Sequence, residues 1–263
     1  MVFRWSPSEY CKLENVSSKL MKFKRITIKR RIEMAGLQME SIAIVVLAAG
    51  KSSRFGSPKQ LACWQGKPLL QHIVSLLTKK GLKPYVTLGG NFDEIIQRDD
   101  LDLSGCHIIK VQNWKEGLAF SIKEALARIS FDFEASEIFS GGVLFFLGDQ
   151  PLINAQDIHA LISAIQVHPD SIVCSQYELG LEVTSLSKKV YDSNQKEKIQ
   201  YNIGVPAYFP LRYFDALCEL KGDEGAKSII KKNGYMAVTL ENAMFDVDEP
   251  EDLARAIDLT KSK

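Results

Sequence analysis

The sequence lacks the features that mark several common classes of protein. Its 33 lysines and arginines almost balance its 32 aspartates and glutamates, so a net charge of +1 gives no sign of a nucleic-acid partner. Its longest apolar runs have the length of strands and fall far short of the about 20 residues that a membrane-spanning helix needs. We therefore expect neither a nucleic-acid partner nor a membrane partner.

Cysteine and histidine are few and scattered. The five cysteines form no CxxC pair, and the four histidines have no metal-ligand spacing. This pattern argues against a zinc site and against a disulfide framework. It is typical of free thiols in a reducing compartment, so a cytoplasmic protein is expected.

Residues 1–38 differ from the rest of the chain. They lack an apolar core of the kind that a secretory signal needs, and residues 19–31 carry seven lysines and arginines. A basic tail for an anionic partner and a targeting presequence are both alternatives, although Glu9, Glu14 and Glu33 weaken the second. We expect a poorly ordered basic extension over 1–38, or translation upstream of a true start at Met34 or Met39, followed by one domain over 39–263.

The most informative stretch is IAIVVLAAGKSSRFGSPK, residues 42–59. Its first half is apolar and largely β-branched, as in a strand buried on both faces. Neither GxxxxGK[ST] nor GxGxxG follows the strand. Small residues and cations follow it instead, namely Ala48, Ala49, Gly50, Lys51, Arg54 and Lys59. They predict an anion site at the end of the strand, the alternative being an ordinary strand-to-helix turn with a solvated basic face.

Strands and helices alternate along the chain. Apolar runs at 83–88, 106–111, 142–147 and 171–175 predict further strands, and amphipathic patterns at 68–80, 118–129 and 154–167 predict helices between them. This alternation indicates a parallel sheet with helices on both faces. Such sheets bind ligands beyond the carboxyl ends of their strands, where Gly50, Gly89-Gly90 and Asp149 all fall.

The remaining segments are expected to be less regular or shorter. Residues 131–141 are predicted as a loop or insertion, and 177–201 as a polar surface excursion from the sheet. Residues 205–210 return to apolar character, 212–220 are predicted as a helix, and 235–240 as a strand. A short strand is expected at 245–248, before a last helix whose first turn contains Pro250.

Five motifs in order resemble those of the MobA-like nucleotidyltransferases and together cover about residues 41–258. They are LAAGKSSRFGSPK at 47–59, QNWKEG at 112–117 followed by Ser121, GDQPL at 148–152, GDEGA at 222–226 and FDVDEPEDL at 245–253. The fourth and fifth are similar to motifs of the branch that transfers cytidylyl groups to the molybdenum cofactor. The resemblance implies a three-layer α/β/α, Rossmann-like nucleotide-diphospho-sugar transferase fold with a mostly parallel sheet.

The resemblance also implies an activity. It is the Mg²⁺-dependent transfer of CMP from CTP to molybdopterin cofactor with release of pyrophosphate. Ala49 favours CTP, because guanylyl-transferring relatives usually carry glycine there. A single methyl group in a pocket changes the free energy of discrimination between two substrates by only about 1–3 kcal/mol. The alternatives are another phosphate acceptor such as a sugar or alcohol phosphate, GTP-dependent guanylyl transfer, or non-catalytic delivery of the cofactor to a molybdenum hydroxylase apoprotein.

Residue roles follow from the same resemblance. Arg54, Lys59 and Asp149 are the catalytic candidates, and Asp149 and Asp248 are the Mg²⁺ ligands, with Asp246 a weaker second candidate. The nucleotide-binding candidates are Leu47, Ala48, Ala49, Gly50, Ser52, Arg54, Lys59, Gly89, Gly117 and Ser121. Backbone N–H groups of residues 49–52 are expected to hold the β- and γ-phosphates. Arg54 and Lys59 are expected to neutralise their charge, Lys59 as a mobile point charge.

The acceptor side departs from the family pattern. The GHP of the family reads Gly204-Val205-Pro206 in this sequence, so a histidine expected near the acceptor is absent. Residues 177–203 replace a short glycine-rich acceptor loop. We therefore expect the nucleotide donor to be better determined by the sequence than the acceptor.

Overall fold

The protein is described from a computed structural model, which covers residues 42–136, 141–179 and 200–261. The predictions for residues 1–38 lie outside these ranges. Nine strands are found in the described part of the chain. They are β1 (Ile42–Ala48), β2 (Cys63–Trp64), β3 (Lys67–Pro68), β4 (Tyr85–Leu88), β5 (His107–Lys110), β6 (Gly142–Leu147), β7 (Val173–Leu179), β8 (Gln200–Pro210) and β9 (Met236–Thr239).

Seven of these strands form one sheet in the order β5-β4-β1-β6-β8-β7-β9. The pairs β5–β4, β4–β1, β1–β6 and β7–β9 are parallel, and β8 runs antiparallel to both β6 and β7. β2 and β3 form a separate antiparallel hairpin. The expected mostly parallel sheet is confirmed, with β8 as the exception.

Six of the seven α-helices in the described residues pack on the two faces of the sheet, and the last packs with Trp64 and Leu69 instead. The seven are α1 (Leu69–Thr78), α2 (Phe92–Ile96), α3 (Leu118–Ser136), α4 (Ala155–Val167), α5 (Phe214–Cys218), α6 (Lys227–Asn233) and α7 (Pro250–Lys261). None of these described helices is long and apolar enough to cross a membrane. Short 3-10 helices at Lys59–Leu61, Trp114–Glu116, Leu211–Tyr213 and Glu241–Met244 complete the regular structure.

β1 lies at the centre of two hydrophobic cores. Alternate residues of a strand point to opposite faces, and all seven residues of β1 are buried. Ala43, Val45 and Leu47 pack with α3, α5 and α6 on one face, whereas the intervening residues pack with α1, α2 and α4 on the other. This arrangement confirms the three-layer α/β/α fold.

Three predicted boundaries are wrong. Residues 131–136 continue α3 instead of forming a loop. Residues 177–179 and 200–201 belong to β7 and β8, which pair with each other, instead of to a surface excursion, and the rest of that prediction, 180–199, lies outside the described residues. Residues 245–248 form no strand, since the Val247 N–H donates to the backbone oxygen of Asp149 at 2.9 Å instead of joining a ladder.

Candidate active site

A cavity of about 390 Å³ lies at the edge of the sheet where β1 and β6 end. These strands are parallel, so their carboxyl ends meet at the same edge. Eight of the predicted site residues line the cavity, namely Leu47, Ala48, Ala49, Gly50, Lys59, Gly117, Ser121 and Asp149. The structure therefore brings together residues that are up to about 100 positions apart in the sequence.

Four predicted site residues lie outside the cavity lining, and three of them contact residues that form it. The hydroxyl of Ser52 accepts a hydrogen bond from the backbone N–H of Lys59 at 3.1 Å. Gly89 packs so closely that a Cβ built there would come within 2.5 Å of the Ala49 backbone oxygen. Asp248 pairs with both Lys59 and Arg54. Arg54, the fourth, is connected to the site through Asp248.

Lys59 lies at the centre of the charged cluster. Its ammonium group is 2.5 Å from Asp149 Oδ2 and 3.1 Å from Asp248 Oδ1, and it also donates to the backbone oxygen of Val247 at 2.8 Å. Only 15% of its side chain is exposed. Lys59 is therefore fixed by three acceptors, and the expectation that it acts as a mobile point charge is not supported by this geometry.

Arg54 completes the cluster at the surface. Its guanidinium lies 3.0 Å from Asp248 Oδ2, so Asp248 bridges the two cations that were predicted to neutralise phosphate. The Arg54 side chain is 68% exposed. An exposed ion pair of this kind contributes little stability, so Arg54 remains available to an anionic ligand.

Burial and pairing shift the pKa values of the cluster in physically clear directions. Burial alone would lower the pKa of Lys59, but the carboxylates of Asp149 and Asp248 outweigh it and the pKa is raised. Burial raises the pKa of Asp149, and the Lys59 ammonium partly offsets that rise. Lys59 is therefore a permanent cation at neutral pH.

The carboxylates of Asp149 and Asp248 could bind a metal ion. Asp149 Oδ1 is buried and has no hydrogen-bond partner, so one hard oxygen is available for coordination. Among residues 42–136, 141–179 and 200–261, no group of three or more His, Cys, Asp or Glu side chains is arranged to hold a metal ion. A pair of carboxylates fits Mg²⁺, which commonly takes one or two from the protein and the remaining oxygens from water and phosphate.

Gln60 is a structural residue that the sequence interpretation missed. Its side-chain amide donates to the backbone oxygens of Ala48 at 2.8 Å and Gly50 at 3.0 Å, and its oxygen accepts from the Ser52 hydroxyl. Gln60 thereby fixes both ends of the turn after β1. Its place directly after Lys59, the last residue of the first motif, was the only available signal.

The opposite wall of the cavity is built around Gly117. Its φ of +96° favours glycine, and a Cβ there would come within 2.3 Å of the Gly222 backbone. The Ala119 N–H donates to the Gly222 oxygen at 3.0 Å, which brings Asp223 into the cavity lining. Two of the quoted motifs, 112–117 and 222–226, therefore meet at this wall.

Trp114 and Lys115 also line the cavity, although neither was singled out from the sequence. Trp114 packs against Gly89 and Gly90, where a Cβ would lie within 2.6 and 3.2 Å of its side chain. The glycine pair after β4 therefore makes space for the indole. The motif that contains Trp114 was identified, but its contact with residues 89–90 depends on the fold.

Comparisons with known proteins agree with this geometry. The model of the MobA-like NTP transferase domain matches residues 44–238. The bifunctional protein GlmU of Bacillus cereus is 32% identical over 120 residues, which are 45% of this chain and 24% of that protein. The chain thus spans about a quarter of the length of the curated relatives it matches.

Solved structures share the fold. Rv0371c of Mycobacterium tuberculosis is 24% identical with a TM-score of 0.61 and covers 82% of this chain and 97% of its own. A second structure of Rv0371c is a complex with manganese, at 23% identity and a TM-score of 0.59. CMP:2-keto-3-deoxy-manno-octonic acid synthetase complexed with CTP is 16% identical with a TM-score of 0.61, covering 84% of this chain and 99% of its own. At these identities the likeness concerns the fold alone.

Proposed function

Because the chain belongs to the family of MobA-like NTP transferase domains, we propose that it transfers a nucleoside monophosphate from a nucleoside triphosphate to a phosphate-bearing acceptor. Pyrophosphate is the other product. The observation that carries this proposal is the cluster of Lys59, Asp149 and Asp248 at the cavity into which the turn after β1 opens. This arrangement supplies cations for phosphate oxygens and carboxylates for a metal ion.

The charges of the chain fit the requirements of the reaction. An acceptor oxygen attacks the α-phosphorus, and negative charge develops on the departing pyrophosphate. The backbone N–H groups of residues 49–52 and the cations of Arg54 and Lys59 would stabilise that charge. Lys59 is already held in place, so its orientation requires little reorganisation when the nucleotide binds.

Asp149 and Asp248 would hold a divalent metal ion, with Mg²⁺ favoured. The unpartnered Asp149 Oδ1 and the outward position of Asp248 support this assignment. When bound, the metal would draw phosphate oxygens together and neutralise part of their charge. Mn²⁺ is the alternative.

CTP is the favoured nucleotide donor. Ala49, which carries a methyl group where guanylyl-transferring relatives usually have glycine, lines the cavity together with Gly117 and Ser121. A single methyl group changes selectivity by only about 1–3 kcal/mol.

The acceptor that we favour is molybdopterin cofactor, on the strength of the motifs at 222–226 and 245–253. A sugar phosphate or an alcohol phosphate would satisfy the same chemistry. Non-catalytic delivery of the cofactor to a molybdenum hydroxylase apoprotein is the candidate from a different class, and the changed sequence at 177–203 and 204–206 favours it. It predicts that Asp149→Ala leaves delivery intact.

The deciding experiment measures pyrophosphate release. Purified protein is incubated with Mg²⁺, with each of CTP, GTP, ATP and UTP, and with molybdopterin cofactor or a panel of sugar and alcohol phosphates. We expect CTP with molybdopterin cofactor to give the highest rate. Absence of turnover with every pair, in protein whose fold is verified by circular dichroism, would overturn the proposal.

A further inference from the structure

A second polar cluster lies outside the charged cluster of Lys59. The Lys227 ammonium, in the first turn of α6, donates to the side-chain oxygen of Asn202 in β8. The Asn202 side-chain amide donates to the Tyr177 hydroxyl in β7 at 3.0 Å. Tyr177 and Asn202 are direct cross-strand partners. We call these three residues the Lys227 cluster.

Strand direction places the Lys227 cluster at the same edge of the sheet as Asp149. β8 is antiparallel to β6, so β8 begins at the edge where β6 ends. Along β8, Asn202 comes three residues before Val205, whose backbone oxygen lies 3.4 Å from the side-chain amide of Gln150. Three residues of strand span about 10 Å. Asn202 therefore lies about 10 Å along β8 from the residue that contacts Gln150, at the same edge of the sheet as Asp149.

Lys227 is also connected to the cavity through its own segment of the chain. It directly follows the 222–226 motif, in which Gly222 contacts Gly117 and Asp223 lines the cavity. α6 begins at Lys227 itself. Residues 222–226 therefore join Lys227 to the cavity lining, and β8 joins Asn202 to the residue that contacts Gln150.

Among the residues that the structure describes, none is a counter-ion for the charge of Lys227. Within the part of the chain that the structure describes, its polar contact is with the neutral amide of Asn202, and no carboxylate lies within ion-pair distance. Burial lowers the pKa of Lys227, and the like charge of Lys231 lowers it further. A positioned, half-buried ammonium without a carboxylate is stabilised by binding an anion.

The geometry of transfer indicates which anion this is. In an in-line displacement the attacking oxygen and the departing pyrophosphate lie on opposite sides of the α-phosphorus. Arg54 and Lys59, beside the turn after β1, are the proposed partners of the departing pyrophosphate. The acceptor must then approach from the other direction. Asp223, four residues before Lys227, lines the cavity and does not belong to the turn after β1 that contains Arg54.

We propose that Lys227, positioned by Asn202 and Tyr177, binds an anionic group of the nucleotide acceptor. This inference rests on the proposed function, and it identifies the acceptor as a molecule that carries a phosphate or a carboxylate recognised by Lys227. Asn202 and Tyr177 act through Lys227 and are positioning residues. Lys227 is the member of the cluster that contacts the acceptor.

A binding experiment tests the site without turnover. Protein with ¹⁵N,¹³C-labelled lysine is saturated with Mg²⁺ and the α,β-methylene analogue of CTP, so that the nucleotide site is occupied. Inorganic phosphate and, in parallel, acetate are then added, and the side-chain resonances of Lys227 are assigned with Lys227→Gln. We expect a saturable shift for Lys227 and none for Lys231, with phosphate or acetate indicating the class of anion. No saturable shift, or equal shifts at both lysines, would overturn the proposal.

Kinetics provides the second test. With an acceptor that is turned over, Lys227→Gln should raise the KM for the acceptor about 10- to 100-fold, as expected for the loss of a charged hydrogen bond, and leave the KM for CTP unchanged. Lys227→Arg should restore most of the affinity, and Asn202→Ala should give a smaller rise. Lys231→Gln is the matched control. An acceptor KM that is unchanged in Lys227→Gln contradicts the proposal. If no acceptor is turned over, the proposed function is contradicted, and the phosphate titration then tests the Lys227 site by itself.

Discussion

The proposed nucleotide side and the proposed acceptor side of the cavity compensate their cations in different ways. On the nucleotide side, Lys59 lies between Asp149 and Asp248, and Arg54 pairs with Asp248. On the acceptor side, Lys227 contacts only the neutral Asn202 among the described residues. The first set of charges is balanced before a substrate arrives, and the second is not.

This difference has consequences for binding. A cation that is already held by carboxylates has a fixed orientation and can stabilise developing charge with little reorganisation. It gains less from binding an anion, because that anion competes with the carboxylates. An uncompensated ammonium gains more from an anionic ligand and is better suited to ground-state binding. We therefore expect changes on the nucleotide side to lower kcat and changes at Lys227 to raise KM.

The largest expected effect is that of Asp149→Asn. The variant keeps the size of the side chain but removes the charge that fixes Lys59 and the oxygen proposed for the metal. Since loss of a single group that stabilises the transition state costs about 10²–10³-fold, and this residue serves two such groups, we expect kcat for pyrophosphate release to fall about 10³-fold or more.

The matched control for Asp149→Asn is Asp99→Asn, an exposed aspartate at a surface turn. It should retain activity within about twofold, since surface substitutions are usually close to neutral. Activity of Asp149→Asn within tenfold of the unchanged protein would show that Asp149 is not part of the catalytic machinery.

The next largest effect is expected for Lys59→Met. Without the ammonium, Asp149 loses its counter-ion and Asp248 keeps only Arg54, so the free energy of unfolding should fall by about 1–3 kcal/mol in the absence of divalent metal. Mg²⁺ or Mn²⁺ should reverse much of this loss, because the metal replaces the missing positive charge. We also expect kcat to fall about 10²-fold.

Thermal unfolding with EDTA and with added metal measures this effect, and Lys51→Met, an exposed lysine in the same turn, is the control. The melting temperature of Lys59→Met should rise more on addition of metal than that of either the unchanged protein or Lys51→Met. Equal rises in all three proteins would contradict the placement of the metal between Asp149 and Asp248.

The residues that line the cavity after β1 could be predicted to lie together because their signals are local. The buried run of β1 and the small residues after it form a continuous stretch, and the positions of Lys59 and Asp149 follow from short motifs. Gln60 was missed because its role depends on reaching back to the oxygens of Ala48 and Gly50. Apart from its position next to Lys59, nothing in the sequence distinguishes Gln60 from an exposed glutamine.

The wrong predictions of secondary structure have the same cause. Residues 245–248 alternate as a strand would, but their hydrogen bond goes to Asp149, which is about 100 residues away in the sequence. The Lys227 cluster likewise joins β7, β8 and α6, which no local pattern relates. The proposed acceptor site could therefore be found only from the structure, whereas the residues after β1 could be found mainly from the sequence.

A smaller effect is expected when Ala49 is changed to glycine. The Ala49 side chain is buried on the face that contains α3, beside the wall formed by Gly117 and Ser121. Removing the methyl group should widen the base pocket and lower the ratio of kcat/KM for CTP to that for GTP about tenfold. Ala43→Gly loses a buried methyl group from the same face of β1 outside the cavity lining, and it should reduce stability without changing this ratio. Equal changes in selectivity would show that the wall at Ala49 does not read the base.

The smallest expected effect concerns His72, which connects α1 to the chain just after Asp149. Its Nε2 lies 2.7 Å from the Ile153 backbone oxygen, and burial lowers the pKa of the ring below its usual 6.5. The unfolded chain therefore takes up a proton before the folded chain does. Stability is fully present above pH 6.5 and is lost as the pH falls through the lower pKa of the folded state.

Chemical denaturation across pH 5 to 8 tests this expectation. The free energy of unfolding should fall below pH 6.5 by up to about 1.4 kcal/mol per pH unit, and His72→Gln should flatten that slope. His159→Gln, on the exposed face of α4, should leave the slope unchanged. Since His72 packs on the segment that follows Asp149, kcat should decline in the same pH window. The affinity of the Lys227 site for phosphate should stay unchanged. A parallel loss of both would mean that the two sides of the cavity are not independent.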